Sequence, residues 1–191
     1  APGPLVTTVA GKAGSSGFTD ATGTNARFYA PKGIAVSQTG DFALVAEYSG
    51  IRRVDLNTRA VTTFAGLYNS LGTTDGVGTN ARFYAPRGVT LAAGDTVAFV
   101  CDYSYHNIRQ IDVSSRTVTR LVGSTSSGWV DGVGTNARFY SPQGIASTSD
   151  GSTLFVTDYN TRVVRKVVVA TRVVTTLAGW GSSSGSEDGV G

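Results

Sequence analysis

Residues 75–86 read DGVGTNARFYAP, and the same stretch returns at residues 131–142 as DGVGTNARFYSP and at residues 20–31 as DATGTNARFYAP. Its arginine falls at Arg27, Arg82 and Arg138, so one unit is about 56 residues long. A stretch that recurs at a fixed spacing indicates a repeat protein, in which each unit is one packing module. The fold therefore follows from one unit, and function must be sought at positions that packing does not explain.

Each unit contains four short apolar runs, which are rich in β-branched residues and are separated by Gly, Asp, Ser and Thr. Short runs with turn residues between them favour an antiparallel meander, and no segment shows the sustained period of a helix. The first three runs are residues 34–36, 89–91 and 145–146, then 42–46, 97–101 and 154–157, then 51–56, 108–113 and 164–169. The fourth is the Val-Thr-Thr segment or its equivalent, which begins at Val6, Val61, Val118 and Val174.

The second run of each unit is apolar at successive positions, as in VAFVC at residues 97–101. A strand with one solvated face would alternate apolar and polar residues, so both faces of this strand must be covered. Sheets stacked around an axis provide such cover, because each sheet lies between two others. The pattern therefore predicts radially stacked blades.

The repeated motifs resemble those of the NHL repeat, the four-stranded blade of NHL β-propellers, over essentially the whole chain. The motifs are Ala-Arg-Phe-Tyr-x-Pro-x-Gly-Ile/Val, Val-x-Asp-Tyr, Ile-Arg-x-Ile and Val-Thr-Thr-Leu-Ala-Gly. The resemblance implies an all-β fold of four-stranded antiparallel blades around a central channel, usually six of them. It also implies a module used mostly to bind proteins, sometimes to bind RNA, and in a few relatives to catalyse a reaction.

Two features depart from the family pattern. The first unit passes from Glu47 to Ile51 through a short turn, whereas the other units have longer loops at residues 102–107 and 158–163. In addition, the turn before the last strand, where the family usually has Gly, holds a cation in every unit, namely Arg59, Arg116 and Arg172.

The chain holds three copies of most elements and four of the Val-Thr-Thr run, so we expect a single partial propeller over residues 1–191. Residues 1–20 are expected to be the last strand of a preceding blade and its connector, residues 21–75, 76–131 and 132–179 the three blades, and residues 180–191 a connector to a following blade. Three blades leave two open flanks. We expect further blades of the same polypeptide, a protein partner, or a second copy that completes six blades to cover them. The absence of Met favours a portion of a longer polypeptide.

The composition fits a globular segment with one core. The apolar fraction is 40%, and no apolar run is long enough to cross a bilayer, so membrane insertion is not expected. The single cysteine, Cys101, aligns with Ala46 and Thr157 and is expected to be a small core residue. A charged fraction of only 15% and the abundance of Ser, Thr and Gly favour an extracellular or cell-surface location, with the cytoplasm as the alternative.

No catalytic constellation or cofactor site is expected. Cys101, Asp102 and His106 are close in sequence, but the cysteine belongs to a strand and the histidine to a loop, so a nucleophile and base are not predicted. One His and one Cys do not provide the three ligands of a catalytic zinc site. Each unit offers a single loop carboxylate, too few for calcium.

The loop carboxylates are instead predicted to form ion pairs that staple the connectors. The predicted partners are the recurring Arg27, Arg82 and Arg138. The loop carboxylates are Asp20, Asp75, Asp131 and Asp188.

In an antiparallel meander the loops gather at two ends of the blades. One end is predicted to carry aromatic residues that could contact a partner, because Tyr and Trp are favoured at interface hot spots: Tyr48, Tyr103, Tyr105, His106, Tyr159, Trp129 and Trp180. The opposite end is predicted to carry Arg59, Arg116 and Arg172, which could contact an anion. The alternative is that the aromatics pack within their blades and the arginines are solvated.

Three hypotheses for function remain open from the sequence. The first is a non-enzymatic propeller that serves as a protein-binding or scaffold module of a larger assembly. The second is binding of RNA or another polyanion, suggested by a pI near 9.2, although a net charge of +3 is modest. The third is an enzyme of lyase or hydrolase type whose site is completed by blades outside this chain.

Overall fold

The computed structural model describes Gly3 and residues 5–179 of the chain. Within these residues the chain is all-β, with fifteen strands and four single 3-10 turns (Gly23–Asn25, Gly78–Asn80, Tyr103–Tyr105 and Gly134–Asn136). None of these elements is a helix that could cross a bilayer.

The strands form three antiparallel sheets, one for each unit of the repeat. The first sheet contains β1 (Ala21–Thr22), β2 (Gly33–Val36), β3 (Phe42–Glu47), β4 (Gly50–Asp55) and β5 (Ala60–Gly66). The second contains β6 (Gly76–Val77), β7 (Pro86–Ala92), β8 (Val97–Asp102), β9 (Asn107–Asp112) and β10 (Thr117–Gly123). The third contains β11 (Gly132–Val133), β12 (Pro142–Ser147), β13 (Thr153–Asp158), β14 (Val163–Val168) and β15 (Val173–Ala178).

The four long strands of each sheet form the predicted meander, and a two-residue strand adds a fifth. In the first sheet the order is β1-β5-β4-β3-β2, and the other two sheets repeat it. The added strand precedes the meander in sequence but pairs outside its last strand, where Ala21 lies opposite Val61. Just after it, the Gly23 N–H donates to the carbonyl oxygen of Arg59 at 2.9 Å. Two residues are too few to show an alternating pattern, so this strand was not predicted.

The first long strands, β2, β7 and β12, are the innermost, because they contact one another across the blade junctions. The glycine of each Pro-x-Gly makes this convergence possible. A Cβ atom at Gly33 would lie 2.1 Å from the carbonyl oxygen of Arg87, and one at Gly88 would lie 2.5 Å from that of Gln143. Any side chain at these positions would push neighbouring blades apart.

The core lies between the blades rather than inside any one of them. Between the first and second blades, Leu44 and Ile51 pack in one cluster with Phe83 and Val100. Between the second and third, Phe99 and Cys101 pack in one cluster with other apolar side chains, including Leu154 and Phe139. Residues 98–101 of β8 are all buried, which confirms that this second strand is covered on both faces. Cys101 is a free, buried core residue, as predicted.

The two outer flanks differ from the covered faces. On the third blade, β13 alternates, with Leu154 and Val156 buried and Phe155 37% exposed. On the first blade, Ile34 and Val36 of the innermost strand are exposed. The flanks therefore present apolar side chains that have no neighbouring blade among the described residues.

The extra strand expected before the first blade stays a prediction, because the described residues contain no preceding blade with which it could pair. Residues 5–9 form no strand, and Leu5 and Val6 are exposed. A strand needs a hydrogen-bonded neighbour, and no described strand lies beside this segment. Val9 and Ala10 lie against the apolar flank of the first blade.

Candidate functional site

Three arginines of the third long strands are wholly buried and organise one end of the blades. They are Arg52, Arg109 and Arg165, which we call the inner arginines. Each pairs with a buried carboxylate at the end of the second long strand, and these carboxylates belong to Glu47, Asp102 and Asp158. We call this end, where β3 turns into β4, β8 into β9 and β13 into β14, the loop end.

Each inner arginine also binds the connector carboxylate, so the predicted pairing was wrong. Arg109 Nη2 lies 2.7 Å from Asp75 Oδ1, and Arg165 Nη2 lies 2.8 Å from Asp131 Oδ1. In the first blade Arg52 takes Asp20 in the same way. The guanidinium groups of the expected partners, Arg27 and Arg82, donate instead to nearby backbone carbonyls, while no ion pair of Arg138 occurs within the described residues. Asp188 lies outside the described residues.

The physical reason for the correction is burial. The inner arginines enter the blade from the Ile-Arg and Val-Arg motifs of the third strand, and a buried guanidinium must have carboxylate and carbonyl partners. Arg109 Nη1 accordingly also donates to the carbonyl oxygen of Arg82 at 2.9 Å. Its guanidinium lies over the Phe83 ring, with Cζ 5.2 Å from the centroid. The recurring Arg-Phe dipeptide thus supplies a carbonyl and a ring to the inner arginine of its blade.

The buried carboxylates hold the Phe-Tyr segments in place. The Tyr84 N–H donates to Asp102 Oδ1 at 2.8 Å, and the Tyr29 N–H donates to Glu47 Oε2 at 2.7 Å. Burial raises the pKa of Asp102 to about 7, and burial also raises the pKa of Glu47. In the third blade the Tyr140 N–H donates to Asp158 in the same way, and burial raises the pKa of Asp158.

The tyrosines that are held in this way contact further aromatic rings and form a row at the loop end. Neighbouring ring centroids are 5.2 to 6.3 Å apart, and most pairs meet edge to face. The row crosses from the first blade to the second where Tyr48 meets Tyr84 at 6.2 Å. We call this set the aromatic row: Phe18, Tyr68, Tyr29, Tyr48, Tyr84 and Tyr105, continued by His106 and Tyr140 at 5.6 Å.

The aromatic row unites some predicted residues with others that were not predicted. Tyr48, Tyr105 and His106 lie in it. Tyr29, Tyr84 and Tyr140 were missed, although their recurrence after Arg-Phe at the mouth of each innermost strand was a usable signal. The row exposes its rings unevenly, with Tyr68 49% and Tyr140 43% exposed.

The remaining predicted aromatics have other surroundings. Trp129 is partly exposed and donates its indole N–H to Thr176 Oγ1 of β15 at 2.9 Å, so it is held against the outer strand of the third blade. Tyr103 stacks under the guanidinium of Arg87. Tyr159 is 60% exposed beside the open flank of the third blade, and Trp180 lies outside the described residues.

The histidine and the cysteine have separate structural roles. His106 closes a 3-10 turn with a φ of 57°, and its Nδ1 accepts a hydrogen bond from the Ser141 N–H at 3.1 Å. Partial burial lowers its pKa, so it is neutral at pH 7. Burial raises the pKa of Cys101 well above its usual range, which disfavours the nucleophilic thiolate. Among the described residues, no three His, Cys, Asp or Glu side chains form a group that could hold a metal ion.

The three turn arginines lie apart from the aromatic row. Arg59, Arg116 and Arg172 occupy the left-handed backbone region, with φ between 56° and 61°, in the turns that lead into the last long strands. Each is exposed, and its carbonyl oxygen accepts a hydrogen bond from the glycine of a 3-10 turn at 2.9 Å. Within the described part of the chain none of them forms an ion pair.

Three antiparallel blades whose innermost strands converge at one axis define a β-propeller architecture. No protein-family model matches the chain. The chain is 28% identical over 176 residues to NHL repeat-containing protein 2 of Bos taurus and 27% identical to that of Homo sapiens, and each alignment covers 86% of this chain. With the repeated motifs and the blades, these similarities support an NHL-repeat family for the chain. The chain spans only 24% of these relatives.

Solved structures share the architecture. An auxiliary nutrient binding protein from Bacteroides thetaiotaomicron superposes with a TM-score of 0.63 at 25% identity, over 75% of this chain and 36% of that chain. Another auxiliary nutrient binding protein, from Bacteroides ovatus, gives a TM-score of 0.60 at 22% identity, over 82% of this chain and 37% of that chain. These likenesses describe the fold.

Proposed function

We propose that this chain is a non-enzymatic propeller module that binds a protein partner through the aromatic row. The observation that supports the proposal is that ring contacts cross both blade junctions, between Tyr48 and Tyr84 at the first and between His106 and Tyr140 at the second. The backbone N–H groups of Tyr29, Tyr84 and Tyr140 donate hydrogen bonds to the buried carboxylates. The hydroxyl groups of these three tyrosines have no hydrogen-bond partner within the described residues. Rigid amphipathic rings with free hydroxyls are the side chains most enriched at protein interfaces.

The row is well suited to a partner because it is rigid before binding. The buried ion pairs fix the backbone of Tyr29 and Tyr84, so little conformational freedom remains to be lost on association. A low charged fraction of 15% also supports an extracellular or cell-surface setting, which we propose together with the scaffold role.

Quantitative affinity purification from the natural source tests the proposal. The full-length protein is compared with the Tyr68→Ala/Tyr140→Ala variant, which truncates the two most exposed tyrosines of the row. Trp129→Ala is the matched control, since it removes an exposed aromatic that is held by its own blade. We expect partners retained by the control to be lost from the row variant and to bind the purified wild-type protein directly. An identical set of partners for all three proteins would contradict the proposal.

A second candidate function is polyanion binding by the turn arginines. It is supported by the exposure of Arg59, Arg116 and Arg172 and by the lack of carboxylate partners for them among the described residues. The test is titration with single-stranded RNA at low and high salt, because phosphate contacts weaken steeply as salt increases. Binding that persists in the triple Arg→Ala variant would contradict this second function.

A further inference from the structure

The starts of the three innermost strands line an open cavity of about 410 Å³. Its walls include the residue between Pro and Gly of each Pro-x-Gly, which is Lys32, Arg87 or Gln143. The close approach of the strands at Gly33 and Gly88 brings these side chains around one space. Its volume falls in the range of small-molecule sites. The repeat thus places two cations and an amide together where three blades meet.

Arg87 lies in this cavity with its donors free. It occupies a bulge, because the register of β7 against β8 shifts between Pro86 and Val89. Bulges commonly redirect side chains next to binding sites. The guanidinium lies over the Tyr103 ring, with Cζ 3.4 Å from the centroid. In the part of the chain that the structure describes, Arg87 has neither a carboxylate within 4.0 Å nor a hydrogen-bond acceptor.

The side chain of Gln143 also lines the cavity. It also sits at a bulge, since β12 shifts register against β13 between Pro142 and Gly144. Its Oε1 atom is buried without a hydrogen-bond partner among the described residues. That atom has no accessible surface, so the ligand contacts in the cavity come from the two cations.

We propose that this cavity binds a small organic anion through a carboxylate or a phosphate. The stacked Arg87 guanidinium binds two oxygens of the anion in a bidentate manner, because ring stacking already fixes its plane. Lys32 adds a second positive charge at the exposed rim of the cavity. This site is separate from the protein-binding function proposed above.

Calorimetric titration of the full-length protein tests this site with three probes of similar size: glucuronate, glucose 6-phosphate and uncharged glucose. We expect at least one of the two anions to bind with saturation in the millimolar range or tighter, and glucose not to bind. The two anions show whether a carboxylate or a phosphate is preferred. Failure of both anions to bind would overturn the proposal, as would equal binding of glucose.

Variants distinguish a built site from general attraction of anions. Arg87→Ala is expected to weaken anion binding about tenfold or more, and Arg87→Lys to restore only part of it. Arg120→Ala removes the same charge from β10, the last long strand of the second blade, and is expected to leave binding unchanged. Equal weakening by Arg87→Ala and Arg120→Ala would refute a specific site. Circular dichroism and thermal unfolding confirm that each variant is folded.

Discussion

Arg109 Nη1 lies 3.3 Å from Asp102 Oδ2, and both side chains are wholly buried in the second blade. Arg109 Nη2 reaches Asp75 in the connector, whose side chain is half-exposed. One guanidinium therefore joins three parts of the same blade: the third long strand, the end of the second long strand, and the connector that precedes the first long strand. The same arrangement occurs in every described blade, so the stability of the loop end depends on it.

Removal of one member of this buried pair should be costly. Arg109→Leu leaves Asp102 buried without its counter-ion, and we expect a loss of about 3 to 5 kcal/mol in the free energy of unfolding at pH 8. Adding Asp102→Asn to that variant should recover part of the loss, because no uncompensated charge remains. Urea unfolding measures both values. The control Arg116→Ala should change stability by no more than about 0.5 kcal/mol, and an equal effect of Arg109→Leu would contradict the assigned role.

The pH dependence of stability should reflect the buried carboxylates. Because burial raises the pKa of Asp102 from 3.8 to about 7, the folded state holds a proton that the unfolded state releases between these values. Stability is therefore expected to fall as pH rises through this window. Burial also raises the pKa of Glu47 and of Asp158, so these two carboxyl groups change stability with the same sign as Asp102. Arg109 keeps Asp75 as a partner when Asp102 is protonated.

The measurement is the thermal midpoint of unfolding at pH 5.5 and at pH 8. We expect the midpoint to be higher at pH 5.5 by a few degrees, equivalent to about 1 kcal/mol. Asp102→Asn should reduce this difference, because the asparagine does not titrate. Below pH 4 the trend should reverse as Asp112, whose pKa is lowered to about 2 by hydrogen bonds from Ser115 and Ser114, becomes protonated. A wild-type midpoint that rises steadily from pH 5.5 to 8 would be incompatible with this account.

The convergence of the innermost strands should be sensitive to a single methyl group. In Gly88→Ala the new Cβ would meet the carbonyl oxygen of Gln143 at 2.5 Å, so the second and third blades must separate. We expect a loss of about 2 kcal/mol or more in the free energy of unfolding. At Gly132, where the nearest atom to an added Cβ is 3.2 Å away, an alanine should cost less than about 1 kcal/mol. Similar losses at both positions would argue against the close strand contact.

The reactivity of Cys101 should report opening of the junction between the second and third blades. The thiol is wholly buried in that cluster, so a thiol reagent is expected to modify it only after the junction opens. The modification rate should increase with urea in parallel with unfolding seen by circular dichroism. The Gly88→Ala variant should be modified faster than the wild-type protein under native conditions. Rapid modification of the native wild-type protein would contradict the assigned packing.

Much of the architecture could be predicted because it depends on local pattern. Turn residues and β-branched runs located the four long strands of each unit, and the fully apolar run at residues 97–101 predicted two covered faces. The segment at residues 5–9 has the same local pattern but forms no strand, because pairing also requires a neighbouring strand.

The candidate sites were less accessible to prediction because they depend on contacts between distant residues. The recurrence of Asp and Arg within one motif suggested that they pair, whereas Asp75 binds Arg109, further along the chain in the third long strand. Tyr48 and Tyr84 are separated in sequence and meet only because neighbouring blades stack. Lys32, Arg87 and Gln143 occupy the variable position of Pro-x-Gly, and nothing in one unit reveals that three units bring them to one cavity.

The order of residues in this chain is sufficient to establish its period, its strands and the propeller class, because turn chemistry and apolar alternation act over a few residues. Tertiary packing decides which carboxylate meets Arg109, which rings form the aromatic row and which side chains surround the cavity at Arg87. Those choices follow from burial and from the rotation between adjacent blades. A buried charge takes whichever partner the packed fold places within reach, irrespective of its distance along the chain.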